Sequence, residues 1–146
     1  MKKLIICLTI FVMLSGCTTN EKLTWFNNKD EAIQFGIEEE GIEQEDIIAE
    51  LESGEEQFIV YKKEENDEML IGLSNIAKSK QKYAWYRSDA YIKVQDDVQV
   101  ILKTKAFSGN EYNFYVGMSE DRERTGLKDA LIDEKTGIYY YIESIK

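Results

Sequence analysis

Apolar positions along this chain change their spacing twice, and each change predicts an element. Leu4 to Leu14 is one apolar run of eleven residues. It is too short to span a bilayer, since a transmembrane helix needs about 20 residues. From Lys29 to about Glu40 the spacing becomes helical. Ile33 and Ile37 stand four apart with Ala32 and Phe35 beside them, giving one apolar stripe and leaving Glu38, Glu39 and Glu40 largely to water. Asn28, three residues before Glu31, is placed to cap this helix, and Gly41 supplies its stop. Gly36 interrupts the stripe and suggests that the helix approaches a sheet closely there.

After Ile42 the period is mostly two. Ile47 to Leu51 also fits a helical face, but Ser53-Gly54 followed by Phe58-Ile59-Val60-Tyr61 favours a hairpin. Further strands are predicted at Met69 to Ile76, Lys82 to Arg87, Val98 to Phe107, Tyr112 to Val116, Leu127 to Ile132 and Ile138 to Ile145. The connections carry turn chemistry, at Glu64 to Asp67 and at Ser108-Gly109-Asn110 among others. Ser119 to Thr125, with charges of alternating sign, reads as a mobile loop. The expected fold class is α+β, with one N-terminal amphipathic helix packed on a meandering antiparallel sheet of about seven or eight strands. Trp25 and Phe26 precede the helix cap and are expected to pack under its first turns, with contact at a lipid interface as the alternative.

The N-terminal run changes meaning with its flanks. Lys2 and Lys3 precede it, and Leu14-Ser15-Gly16-Cys17 closes it. This resembles the lipobox of a bacterial lipoprotein precursor. The resemblance implies cleavage between Gly16 and Cys17 and a covalent diacylglyceryl lipid on the Cys17 thiol. Residues 1–16 would then be a removed signal peptide, 17–24 the lipidated cysteine and a polar tether, and 25–146 a single globular domain. A seven-residue tether, Thr18 to Thr24, reaches roughly 23 Å when extended. Two acyl chains suffice for lasting attachment. The address is extracytoplasmic, on the cell membrane. Fifteen lysines to three arginines point to an AT-rich genome and a Gram-positive host. With Cys7 removed and Cys17 capped, the mature chain has neither free thiol nor disulfide, so its stability rests on packing.

Charge is unevenly spread. Residues 21–68 hold 17 acidic and 4 basic side chains, a net of −13, whereas residues 69–146 carry a net of +1. Such acidity argues against nucleic acid as a partner. It also argues against a second, electrostatic hold on anionic lipid, which requires a basic segment. Most of these carboxylates are expected to solvate a helix face and turns.

Catalytic options are few. Without histidine there is no Ser-His-Asp triad, no Cys-His dyad and no histidine-ligated zinc site. Ser74 with Lys78 would lie on a strand, a poor setting for serine–lysine chemistry. Glu143, after Ile142, is the best single candidate for a catalytic carboxylate, but exposed strand glutamates are commonplace. Neither Asp96-Asp97 nor Glu64 to Glu68 has the spacing that wraps a calcium ion. No catalytic residue, metal ligand or cofactor other than the lipid is therefore expected.

Aromatic placement is more suggestive. Ile138, Tyr140 and Ile142 share one strand face, as do Tyr112, Phe114 and Val116 on the predicted neighbour. If those strands pair, Tyr115, Tyr139 and Tyr141 form an aromatic stripe on the opposite face, suited to stacking on a sugar or anchoring a protein. The commoner arrangement is that a helix or strand covers such a face. Trp85 and Arg87 share a strand face as well, with the core as the expected place for Trp85. Outside its signal the chain resembles small bacterial lipoproteins in layout alone. The expected role is a non-catalytic binding or accessory module whose partners are the membrane, through its lipid, and a basic protein or an envelope polymer. Alternatives are an immunity or inhibitor lipoprotein that captures a basic protein, and a carboxylate-dependent envelope hydrolase.

Overall fold

A computed structural model describes residues 22–118 and 125–145. The lipobox with Gly16 and Cys17, most of the tether and nearly all of the Ser119 to Thr125 loop lie outside the described residues. Helix α1 runs Lys29–Glu40, as the apolar spacing predicts. Asn28 is extended, and its side-chain oxygen accepts the Glu31 N–H at 2.9 Å. Gly41 ends the helix at φ 64°, a left-handed conformation in which glycine meets no Cβ penalty.

Nine strands follow among the described residues. They are β1 (Ile47–Ser53), β2 (Glu56–Glu65), β3 (Glu68–Ser79), β4 (Lys82–Arg87), β5 (Ile92–Lys93), β6 (Val100–Lys105), β7 (Glu111–Met118), β8 (Leu131–Asp133) and β9 (Ile138–Ser144). The single meander expected from the sequence is instead two antiparallel sheets. One has the order β1-β2-β3-β4 with β5 paired to β3, and the other has the order β6-β7-β9-β8. The helix is the first described element but starts at residue 29, so it is not at the chain terminus.

The two sheets arise from how β2 and β3 are buried. Phe58, Ile59, Val60 and Tyr61 are all fully buried, which requires cover on both faces of β2. Phe58 and Val60, with Ile71 and Leu73 of β3, pack against Tyr112, Phe114, Val116, Ile138 and Tyr140 of the second sheet. Ile59 and Tyr61 point the other way, to Ile33 and Ile37 of the helix. The layers are therefore helix, first sheet and second sheet. Gly36 makes the first contact possible, because a Cβ there would sit 2.0 Å from the Trp85 ring. Tyr61 likewise lies over Gly72, its partner across β2 and β3, where a Cβ would be 2.3 Å away.

Buried Asn75 ties the sheets at one end. Its amide donates to Glu56 at 3.1 Å and to the Gln57 carbonyl at 3.0 Å, and its oxygen accepts the Phe107 N–H at 3.0 Å. Phe26 bridges to Tyr83 and packs on Phe35 of the helix, centroids 5.3 Å apart, so it meets the expectation of packing there. Trp25 does not. Its ring meets Phe107 edge-on at 5.5 Å, on the side of the second sheet.

Candidate functional site

Strands β7 and β9 do pair, and their register sets Tyr115 directly opposite Tyr141. The rings are 5.8 Å apart and tilted 41°. Ile101 of β6 stands opposite Tyr115 and is 55 % exposed. A row of three large side chains thus crosses the outer face of the second sheet. The helix packs on β4 and β3 of the other sheet and does not cover this face.

Polar groups border the row. Lys103, Asn113 and Glu143 occupy the next register positions, and the Tyr115 hydroxyl donates to Glu143 at 2.6 Å. That bond, with a smaller contribution from burial, raises the Tyr115 pKa above its ordinary value. It also fixes the ring, which lowers the entropy lost when a ligand settles on it. Glu143 is thereby a partner of Tyr115 rather than a carboxylate in an apolar pocket. Tyr139, expected beside the other two as a ligand-facing ring, is only 4 % exposed. It lies across Gly117, where a Cβ would approach its ring to 2.7 Å, so the accessible pair is Tyr115 and Tyr141.

A second constellation was not expected. Glu40, assigned to water on sequence grounds, is 7 % exposed. Its carboxylate accepts from Arg87 at 2.7 Å, from the Tyr91 hydroxyl at 2.6 Å and from the Trp85 indole N–H at 3.4 Å. Lys63 donates to the Glu40 carbonyl at 2.7 Å, and the Arg87 guanidinium lies 4.6 Å from the Tyr91 ring centroid. Burial works against the Arg87 charge, but Glu40 and Tyr91 outweigh it and its pKa is raised. Burial first, and then the bond to Glu40, raises that of Tyr91. A carboxylate in the last turn of a helix meets an unfavourable dipole, which makes these donors necessary. The sequence signal was its spacing. Glu40 follows Ile37 by three and Ile33 by seven, so it continues the apolar stripe.

Other candidates are placed as follows. Ser74 and Lys78 both lie on β3, as expected, and the S-x-x-K spacing at Ser79 and Lys82 joins residues that pair across the β3–β4 turn and not along a helical turn. Among the described residues no three His, Cys, Asp or Glu side chains cluster as metal ligands. No described helix is long and apolar enough to cross a membrane. Cys17 and Gly16 are outside the described residues. No family model, no curated protein and no solved structure matches this chain.

Proposed function

We propose that this chain is an extracytoplasmic lipoprotein, cleaved after Gly16 and anchored through Cys17, which acts as a non-catalytic binding module of the cell envelope. The outer face of the second sheet is its binding surface. The observation that carries this reading is the row Ile101, Tyr115 and Tyr141, an apolar and aromatic strip on an outer sheet face with polar groups along one side. Tyrosines offer a large contact area with few rotors to immobilise, and rings at interface centres dominate binding energy. A saccharide-bearing polymer or a protein surface would fit such a strip. Pull-down with the anchored protein from its own envelope tests the idea. Replacing Tyr115 and Tyr141 with alanine should lower capture about tenfold or more. Capture unchanged by both substitutions would sink it.

A second reading follows from Asp30, Glu31, Glu38 and Glu39, all exposed on the helix. They support capture of a basic protein by charge, which would weaken steeply as salt is raised. Binding through the tyrosine row would hold up far better.

A further inference from the structure

The fold brings together two stretches that sequence distance kept apart. Residues 69–88 contain no acidic side chain and include Lys78, Lys80 and Lys82, and residues 98–110 contain none and include Lys103 and Lys105. The first spans β3, its turn and β4, and the second spans β6 and the turn into β7. A cleft of about 680 Å³ has Lys78 and Ser79, at the end of β3, and Phe107 and Ser108, in the β6–β7 turn, in its walls. Lys78, Lys80, Lys82 and Lys105 are all exposed; Lys103 is paired with Glu111, which also stands opposite Lys105 across β6 and β7. Glu55 and Glu56 line the same cleft from the β1–β2 turn, and with Glu52 they share a second cleft with Lys78, so the lysines that stand clear of these carboxylates are Lys80 and Lys82.

Aromatic rings stand beside those lysines. Phe107 is 45 % exposed although Trp25 and Tyr86 flank it, at 5.5 and 5.8 Å between centroids. The trio bridges the β4 edge of the first sheet and the end of β6 in the second. Closing that seam accounts for Trp25 and Tyr86, which are half-buried, but not for Phe107. With Ala106 buried before it and its own N–H held by Asn75, Phe107 projects outward. Trp25 is also where the tether ends, eight residues after Cys17.

We infer that this end of the molecule is a second membrane contact, with Phe107, Trp25 and Tyr86 at the interface of an anionic bilayer and Lys78, Lys80, Lys82 and Lys105 over its headgroups. The inference rests on the Cys17 anchor, because the tether holds Trp25 within about 30 Å of the lipid even when extended. Aromatic rings with a polar edge favour the headgroup level, and lysines near an anionic surface add attraction within a Debye length. A basic surface that no single segment of the sequence carries is thus assembled around two turns.

The lipid-carrying protein in phosphatidylglycerol vesicles provides the test. Trp25 and Trp85 are the only tryptophans, and Trp85 is buried, so quenching by brominated lipids reports on Trp25, with Trp25→Phe as the blank. Quenching well above the blank is expected, and Phe107→Ser should reduce it while circular dichroism stays unchanged. Each of Lys78→Gln, Lys82→Gln and Lys105→Gln should lower the ratio of docked to undocked protein about fivefold. A protein that carries its lipid by mass spectrometry but shows quenching no greater than the blank overturns the contact and leaves the anchor standing. A protein without lipid overturns both. Protection of Trp25 by a soluble anionic wall polymer, with no quenching by lipid, would also overturn the contact.

Discussion

Arg87, at the end of β4, bonds the Glu40 carboxylate at 2.7 Å and so ties the last residue of the helix to the edge of the first sheet. Removing the guanidinium would leave a carboxylate that is 7 % exposed with two weaker donors, Tyr91 and Trp85. Losing one partner of a fully buried pair is worth roughly 3–5 kcal/mol. Arg87 itself is 42 % exposed, and water screens part of that. Arg87→Met is expected to destabilise the protein by about 2 kcal/mol. Urea denaturation should show the lower midpoint at unchanged slope, and a shift below about 0.5 kcal/mol would mean that the pair is no stronger than a surface bridge.

Gly36→Ala separates propensity from packing. Alanine is better than glycine in a helix by about 1 kcal/mol. The new methyl would meet the Trp85 ring at 2.0 Å, so the helix must lift or the indole must turn. Overpacking of this kind typically costs about 1–3 kcal/mol, which offsets the propensity gain and on balance exceeds it. A lower melting temperature, with a changed near-ultraviolet signal from Trp85, is the expected outcome. A more stable variant would show that the helix does not sit against Trp85 at this distance.

The β3–β4 turn holds Lys80 at φ 49° and Gln81 at φ 62°. Both are left-handed, where asparagine and glycine are favoured and other residues lose roughly 1–2 kcal/mol. Replacing the pair with Asn-Gly is therefore expected to raise stability by about 1 kcal/mol. If the lysine is kept for membrane contact, the same change should weaken vesicle docking. A gain in stability with unaltered docking would assign Lys80 no part in that contact.

Alkaline stability follows from the buried phenols. Burial is the first cause holding the pKa of each of Tyr61, Tyr91 and Tyr140 above the ordinary value of 10.0. A group whose pKa is raised by folding contributes fully below its unfolded value and loses that contribution as pH rises through the folded one. Melting temperature should thus be unaffected by these groups from pH 7 to about 9 and fall above about 10. Tyr91→Phe should make the alkaline decline shallower. A decline already present at pH 8 that Tyr91→Phe does not alter would have to come from other groups.

Local chemistry was legible along the chain because local forces decide it. Asn28 and Gly41 mark the helix ends, Ser53-Gly54 marks a hairpin, and Gly36 marks the close approach. The division into two sheets was not legible, since a period of two assigns a residue to a face but not to a sheet. The run Phe58 to Tyr61 held the missing clue, because four consecutive buried residues need two covered faces. Two-residue β5 is too short to leave a pattern. Alternation put Tyr115 and Tyr141 on one face once β7 and β9 pair, whereas the close seating of Tyr139 depended on the lack of a side chain at Gly117. Burial of Glu40 was not legible because its partners Trp85, Arg87 and Tyr91 lie 45 to 51 residues away.

Site-specific photo-crosslinking tests the central proposal most directly. A photoreactive residue at Ile101, on the outer sheet face, is compared with one at Glu38, exposed on the acidic helix, in the anchored protein within its own envelope. The tyrosine row predicts adducts from position 101 that disappear when Tyr141 is replaced with alanine. Adducts from position 38 alone, with none from position 101, would contradict it and transfer the binding surface to the helix.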